Sequence, residues 1–201
     1  MKKFLLTVAS LSLFALPAVA APSPYVGGSV GPGFFGNSDA TYSGISSTDY
    51  ITYQTGVPFT LGVGLKGESY RAEAAFGFQS HDVEKIKLNG IDQSKVSGYR
   101  VSLYSYMVNG YYDIDLRYDS IIPYVMAGLG VASIHSSEPT ISYDRALFAW
   151  QAGAGVSVPA TRNITIDLAY RYFKPSSYDA GNATDISSFS HNFLLGARYI
   201  F

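Results

Sequence analysis

Apolar residues recur at every second position through most of this chain. In FTLGVGLK, Phe59, Leu61, Val63 and Leu65 fall on one face, and Thr60, Gly62, Gly64 and Lys66 on the other. After the KGES turn, Tyr70, Ala72, Ala74, Phe76 and Phe78 oppose Arg71, Glu73, Ala75, Gly77 and Gln79. The same alternation runs through Phe148 to Val158, Ile164 to Phe173, and Phe193 to Phe201. Period two with turn residues between the runs predicts β-strands, and no stretch after the first twenty residues sustains a helical period. Three further segments are less regular. Tyr25 to Phe34 is Gly-rich and holds Pro32, which suits a strand end or bulge. Gly98 to Tyr112 changes phase: Val101 and Leu103 favour one parity, Tyr104, Tyr106, Val108 and Tyr112 the other, and a bulge is one explanation. Pro123 to Ile134 sets Val125, Ala127, Leu129 and Val131 against Met126, Gly128, Gly130 and Ala132.

Eight strands result, and the connections between them alternate in length. Long ones are expected at Gly36 to Val57, Ser80 to Ser97, Ser136 to Asp144 and Lys174 to Ser190, and short ones elsewhere. An antiparallel up-and-down meander with long loops at one end and tight turns at the other is the layout of a transmembrane β-barrel. A soluble barrel would show the same alternation, with the apolar face inward. The polar face separates the two. It is mostly Gly, Ala, Ser and Thr, with scattered charges of both signs at Lys66, Arg71, Glu73, Arg100, Asp167, Arg171 and Arg198. Small residues and mixed charges suit the interior of an eight-stranded barrel, which is just wide enough for its own side chains. The apolar face carries Phe59, Tyr70, Phe78, Phe148, Trp150, Tyr170 and Tyr172 near strand ends, together with Tyr199 and Phe201, as aromatic girdles at the two membrane interfaces would.

Composition agrees with this assignment. Charged residues are only 14% of the chain, against about 25% in soluble domains. The first twenty residues set Lys2 and Lys3 before the apolar run Phe4 to Leu16 and end on Ala18-Val19-Ala20. That is the pattern of a cleaved export signal, and the run is shorter than the roughly 20 residues of a spanning helix. Residues 21–201 are then expected to form one barrel domain. Without Lys2 and Lys3 there are twelve basic and fifteen acidic residues, a net charge of −3 with no basic stretch for nucleic acid. Cys is absent, so neither disulfides nor thiolate metal sites arise.

The stretches PYVGGSVG, YSYMVNGYYDID, IPYVMAGLGVA, IDLAYRYF and SFSHNFLLGARYIF resemble the Gram-negative outer-membrane β-barrel and surface-antigen family that includes the opacity-type proteins. The resemblance spans residues 21–201. It implies an eight-stranded barrel in the outer membrane, long loops outside the cell and short turns in the periplasm. It also implies a monomer among outer-membrane lipids and lipopolysaccharide, with its terminal strand (Phe193, Leu195, Tyr199, Phe201) read by the barrel-assembly machinery. Met126 departs from the family pattern, where Gly is usual, and bears on the packing of its strand.

Function is less sharply marked. Lys66, Arg71, Glu73, Asp167, Arg171 and Arg198 would face one lumen, where opposite charges need each other because an unpaired buried charge is expensive. They read as an ion-pair plug or as a gate in a narrow, porin-like channel. His81, His135 and His191 stand near strand ends. IHSSEP places His135 near Ser137 and Glu138, a spacing similar to that of outer-membrane lipid A deacylases, although the residues after Ser137 do not continue that pattern. A Ser-His-acid set needs converging geometry that spacing alone does not supply. No HExxH, clustered His or Gly-rich phosphate loop points to a metal, nucleotide or other cofactor. GNSDATYSGISSTDYITYQTG is rich in Ser, Thr and Tyr, as a recognition loop is and as any exposed loop is. The leading reading is a non-enzymatic structural surface antigen whose loops serve adhesion or another surface interaction with an extracellular ligand.

Overall fold

The computed structural model describes residues 21–201 except 37, 43–44, 54, 89–90, 95–99, 117–119, 137–143, 180–183 and 188. Eight long strands build the wall: β1 (Ser23–Val30), β2 (Phe59–Lys66), β3 (Tyr70–Leu88), β4 (Arg100–Asp113), β5 (Ile122–Ser136), β6 (Asp144–Pro159), β7 (Ile164–Pro175) and β8 (Ser190–Ile200). Each is hydrogen-bonded antiparallel to the next. The sheet then closes, because β1 pairs with β8 from Tyr25↔Ile200 to Val30↔Leu195. A closed eight-stranded antiparallel barrel leaves no edge.

Burial is inside-out relative to a water-soluble barrel. Val63, Val108, Leu129, Leu168 and Leu195 point outward with 58–69% of their surface exposed. Asn109, Gln151, Arg71 and Arg198 are buried inside, at 1–6% exposure. A continuous apolar belt of that extent is far larger than a soluble monomer exposes, and it matches a lipid-facing wall. The predicted parity holds in β2, β3, β5, β6, β7 and β8.

β4 corrects the sequence reading. Its pairing runs unbroken from Val101 to Tyr112 against β3 and β5, with no bulge. Leu103 breaks the expected polarity because it points inward, into a buried apolar layer with Met107, Ala132, Ala149 and Phe173. The charged side chains of the lumen thus lie toward the short-turn end, while farther along this apolar cluster shares the interior with buried neutral polar groups, Gln79, Ser105, Ser190 and Asn192. Met126 also turns inward and packs with Tyr111 and Tyr124.

The expected long loops are corrected as well, since much of their length continues the wall. Ser38 pairs with Ile51 at the offset that joins Val30 to Phe59, so Ser38–Tyr42 and Ile45–Tyr53 prolong β1 and β2. Ile91–Ser94 returns along the far end of β3, and Thr184–Ser187 pairs with both Ser38–Tyr42 and Tyr178–Asp179. Pro32 marks a break without a slip, because Gly33–Phe35 resumes pairing with β8 in the original register. Having no N–H, Pro32 offers its carbonyl to the Phe193 N–H at 3.0 Å.

Phe173 fills the apolar layer at 2% exposure. Truncation Phe173→Ala is expected to lower stability by about 3 kcal/mol, measured as a lower urea midpoint for the barrel refolded in detergent.

Candidate functional site

The candidate site is the polar half of the lumen, and register decides who meets whom there. Arg71 stands opposite Tyr111 on β4, so Asp113 is its diagonal neighbour, two residues on. Arg71 Nε donates to Asp113 Oδ1 at 3.0 Å, Nη2 lies 2.8 Å from the same oxygen, and both side chains are buried. The guanidinium is also sandwiched between aromatic rings, 4.3 Å from the Tyr111 centroid and 4.6 Å from that of Tyr124. Such cation–π contact strengthens where water is excluded.

A second pair crosses from β7 to β8. Ser157 is opposite Asp167, while Arg198 is its diagonal neighbour. Arg198 Nε donates to Asp167 Oδ2 at 2.6 Å, and Nη2 donates to Asp167 Oδ1 at 3.0 Å and to Ser157 Oγ at 2.9 Å. Ser157 Oγ in turn donates to Asp167 Oδ1 at 2.6 Å. The arrangement is a bidentate, charge-assisted clasp. Room for it comes from Gly27 opposite Arg198, where a Cβ would stand 2.9 Å from Arg198 Cγ.

Among the described residues, the partners of Glu73 are neutral donors. Its carboxylate accepts from Tyr25 Oη at 3.1 Å, Asn109 Nδ2 at 3.1 Å and Tyr111 Oη at 2.8 Å. Gln151 Nε2 continues the network by donating to Asn109 Oδ1 at 2.5 Å. Arg171 forms no ion pair with a carboxylate among the described residues: its Nη1 reaches Thr60 Oγ1 at 3.4 Å, and its Nε is buried with no hydrogen-bond partner. Lys66 sits at the short-turn end, with Nζ donating to the Gly67 carbonyl at 3.3 Å.

Of the six charged residues expected to face the lumen, Arg71, Glu73, Asp167, Arg171 and Arg198 line one cavity, but the neighbours in sequence are not the partners. No hydrogen bond joins Arg71 to Glu73 or Asp167 to Arg171 among those of the described residues. Sequence reasoning missed Asp113, which lies just past the strand expected from Gly98 to Tyr112, along with Tyr25, Asn109, Tyr111, Ser157 and Gln151. Leu103 concealed the inward parity of β4, from which Asn109, Tyr111 and Asp113 follow. The side chain of Arg100 lies outside the described residues.

Outside, the aromatic residues gather toward the two ends of the belt. Tyr70 and Tyr112 form a tilted pair with centroids 5.2 Å apart, and Tyr199 and Phe201 meet edge to face at 5.1 Å, at the short-turn end. Toward the other end stand Phe59, Phe148, Phe78 with Tyr104 at 5.1 Å, Trp150 with Tyr172 at 5.4 Å, and Tyr170 with Phe193 at 5.3 Å. Leu195 lies between the bands on β8. His191 belongs to this outer wall, its Nδ1 2.6 Å from Tyr170 Oη. The side chains of His81 and His135, and Ser137 and Glu138 altogether, lie outside the described residues. Among the described residues no three His, Cys, Asp or Glu side chains cluster as a metal site would need.

A polar, packed lumen inside an apolar closed wall is what an outer-membrane barrel requires, and the family comparison decides it. The profile described as "Outer membrane protein beta-barrel domain" matches residues 5–201. This chain belongs to that family. Outer membrane protein PagN of Salmonella typhimurium is 33% identical over a region covering 51% of this chain and 51% of PagN, so the chain spans about half the length of the curated relative it matches. Neisserial surface protein A has the same fold at 19% identity, with a TM-score of 0.62 over 89% of this chain and 97% of that one. The outer membrane protease OmpT of Escherichia coli is similar at 10% identity, with a TM-score of 0.51 over 93% of this chain and 99% of that one. These two likenesses concern the fold alone, and a fold that includes a protease does not by itself assign or exclude catalysis.

Breaking a buried ion pair strands its partner. Asp167→Asn and Arg198→Met are each expected to destabilise the barrel by about 3 kcal/mol. The double variant should lose clearly less than the sum of the two, as a double-mutant cycle of urea unfolding in detergent will measure.

Proposed function

We propose that this chain is a monomeric, non-catalytic surface protein of the outer membrane that works through the hairpins at its rim. Residues 1–20 act as its export signal and residues 21–201 as the single barrel domain. Outer-membrane lipids and lipopolysaccharide surround the apolar belt, with the aromatic residues at its two borders. The barrel-assembly machinery reads the terminal strand through Phe193, Leu195, Tyr199 and Phe201.

The observation that carries this reading is a filled lumen beneath a prolonged wall. Two cavities within the barrel measure only about 50 and 20 Å³, and the smaller is hemmed in by the side chains of Met107 and Phe173. Continuous conduction needs a wider water path than such small, separate cavities provide. The wall, by contrast, continues past the apolar layer in paired strands, and loops held on a rigid scaffold are where recognition concentrates. The rim hairpins therefore supply the surface for contact with an extracellular ligand.

Two experiments test this. Purified barrels in planar bilayers should give no reproducible conductance steps; steps abolished by neutralising Arg71 or Asp167 would favour a narrow channel instead. Cells displaying the protein should gain binding to host-cell or matrix preparations. Replacing residues 39–50 by a two-residue Asn-Gly turn, which lets Ser38 stay opposite Ile51, should remove that binding at unchanged surface level. For the terminal strand, deletion of Phe201, whose N–H donates to the Pro24 carbonyl at 3.0 Å, should reduce the folded, surface-exposed fraction severalfold on protease shaving.

A further inference from the structure

The outer wall is not smooth over the seam. A groove of about 710 Å³ crosses five neighbouring strands there, β7, β8, β1, β2 and β3, and its lining is almost wholly apolar. Its floor is set by Gly28 and Ala197, which stand opposite each other on the outer face between larger neighbours such as Leu61 and Tyr199. Five strands at a spacing of about 4.8 Å give it a length of about 19 Å, and two rungs of outward positions a width of about 7 Å. The groove also climbs. At one end Ile164 is the first residue of β7 and Tyr199 the last but one of β8, so both lie at the short-turn border. At the other end Ala74 and Phe76 are the fifth and seventh residues of β3. The tilt of barrel strands produces this slope.

We propose that this groove holds one acyl chain of a glycerophospholipid from the periplasmic leaflet, with the lipid phosphate at Arg162. The short turns of an outer-membrane barrel lie on the periplasmic side. The shallow end therefore opens where phospholipid headgroups stand, and the deep end points into hydrocarbon. Arg162 is the one charged residue of the turn between β6 and β7, two positions before Ile164, and it is exposed. Thr161 holds that turn in shape, its Oγ1 accepting from the N–H groups of Asn163 at 3.3 Å and Ile164 at 3.0 Å. The backbone of Arg162 is thereby fixed beside the mouth of the groove. A hollow left empty would forfeit dispersion contacts along its whole length, and a flexible hydrocarbon chain fills it. A second copy of the chain does not: another convex wall cannot enter a channel about 7 Å wide, and the twelve lining residues are fewer than the roughly 20–30 a side of a stable protein interface. The site singles out one lipid among those around the belt, and it rests on the membrane placement given above, not on the role of the rim hairpins.

Crystals of the barrel grown in bicelles that contain phosphatidylglycerol brominated midway along one acyl chain, with data collected at the bromine edge, should show an anomalous peak in the groove between Ala197 and Ala74. A groove without such a peak, whether it holds detergent or nothing, overturns the proposal, as do peaks spread evenly around the belt. Native mass spectrometry of the barrel released from micelles doped with phosphatidylglycerol should show one bound lipid per monomer. Ala197→Leu, which fills the floor from the lipid side and leaves the lumen untouched, should remove that lipid. Equal retention in this variant, or a dimer that excludes lipid, also overturns the proposal. Arg162→Gln should weaken phosphatidylglycerol binding about fivefold and leave diacylglycerol binding unchanged; phosphatidylglycerol binding that does not respond would overturn the proposal as well. The bromine measurement needs no variant, so it decides the matter even if a variant does not refold. A conducting lumen or a rim that binds nothing would leave all these outcomes as they are, so failure of the functional reading and failure of this site are told apart.

Discussion

In hydrocarbon no water satisfies the peptide groups, and each unpaired N–H or C=O costs several kcal/mol. The seam between β1 and β8 is therefore the contact on which the rest of this structure depends. It is secured beyond the ladder itself. At the short-turn end the Phe201 N–H donates to the Pro24 carbonyl, and Asn163 binds Ile200 through both its carbonyl and its side-chain amide. Farther along, Pro32 sits at the one place where the ladder of β1 is interrupted, and pairing resumes without slipping. A slip of one residue would exchange the two faces along the whole seam, turning Arg198 to lipid and Tyr199 inward.

Closure with eight strands then fixes the character of the interior. The lumen is so narrow that side chains fill it, and whatever is polar must be satisfied there by other side chains. Two solutions occur side by side. Asp113 and Asp167 are neutralised by diagonal arginines, whereas Glu73 rests on an amide and two phenols. The large aromatic and guanidinium groups fit because glycines face them: a Cβ at Gly64 would come within 2.5 Å of the Tyr25 ring. Small residues on the inner face are thus the counterpart of large ones, which explains a polar face so poor in charge.

The wall was legible in the sequence because a lipid-facing strand must alternate, and alternation survives in six of the eight strands without exception. Interior polarity is less strictly imposed. Nothing forbids an apolar side chain in the lumen, so Leu103 and Met107 could blur the period of β4 and hide Asn109, Tyr111 and Asp113. Ion-pair partners were not legible for a different reason. A diagonal contact depends on the offset between strands distant in sequence, and residue spacing within one strand carries no information about it. The rim escaped for a third reason: strands above the membrane have no lipid to enforce alternation, so Ser38–Tyr42 and Ile45–Tyr53 look like polar loop.

The same physics separates the two ends of the molecule. Below the layer of Leu103, Met107, Ala132, Ala149 and Phe173, side chains are locked by charge and hydrogen bonding, and altering one strands another. Above it, backbone pairing continues the wall: Ser38↔Ile51 and Ile51↔Ile86 keep the offsets of Val30↔Phe59 and Phe59↔Phe78, with register shifts after Ser38 and Thr52. Backbone pairing tolerates nearly any side chain that is not proline. Sequence change at the rim is therefore cheap in stability, provided that the hairpins keep their offsets. A barrel built this way can alter the surface it shows to other molecules while the clasp of Arg198 on Asp167 and the seam that it depends on stay as they are.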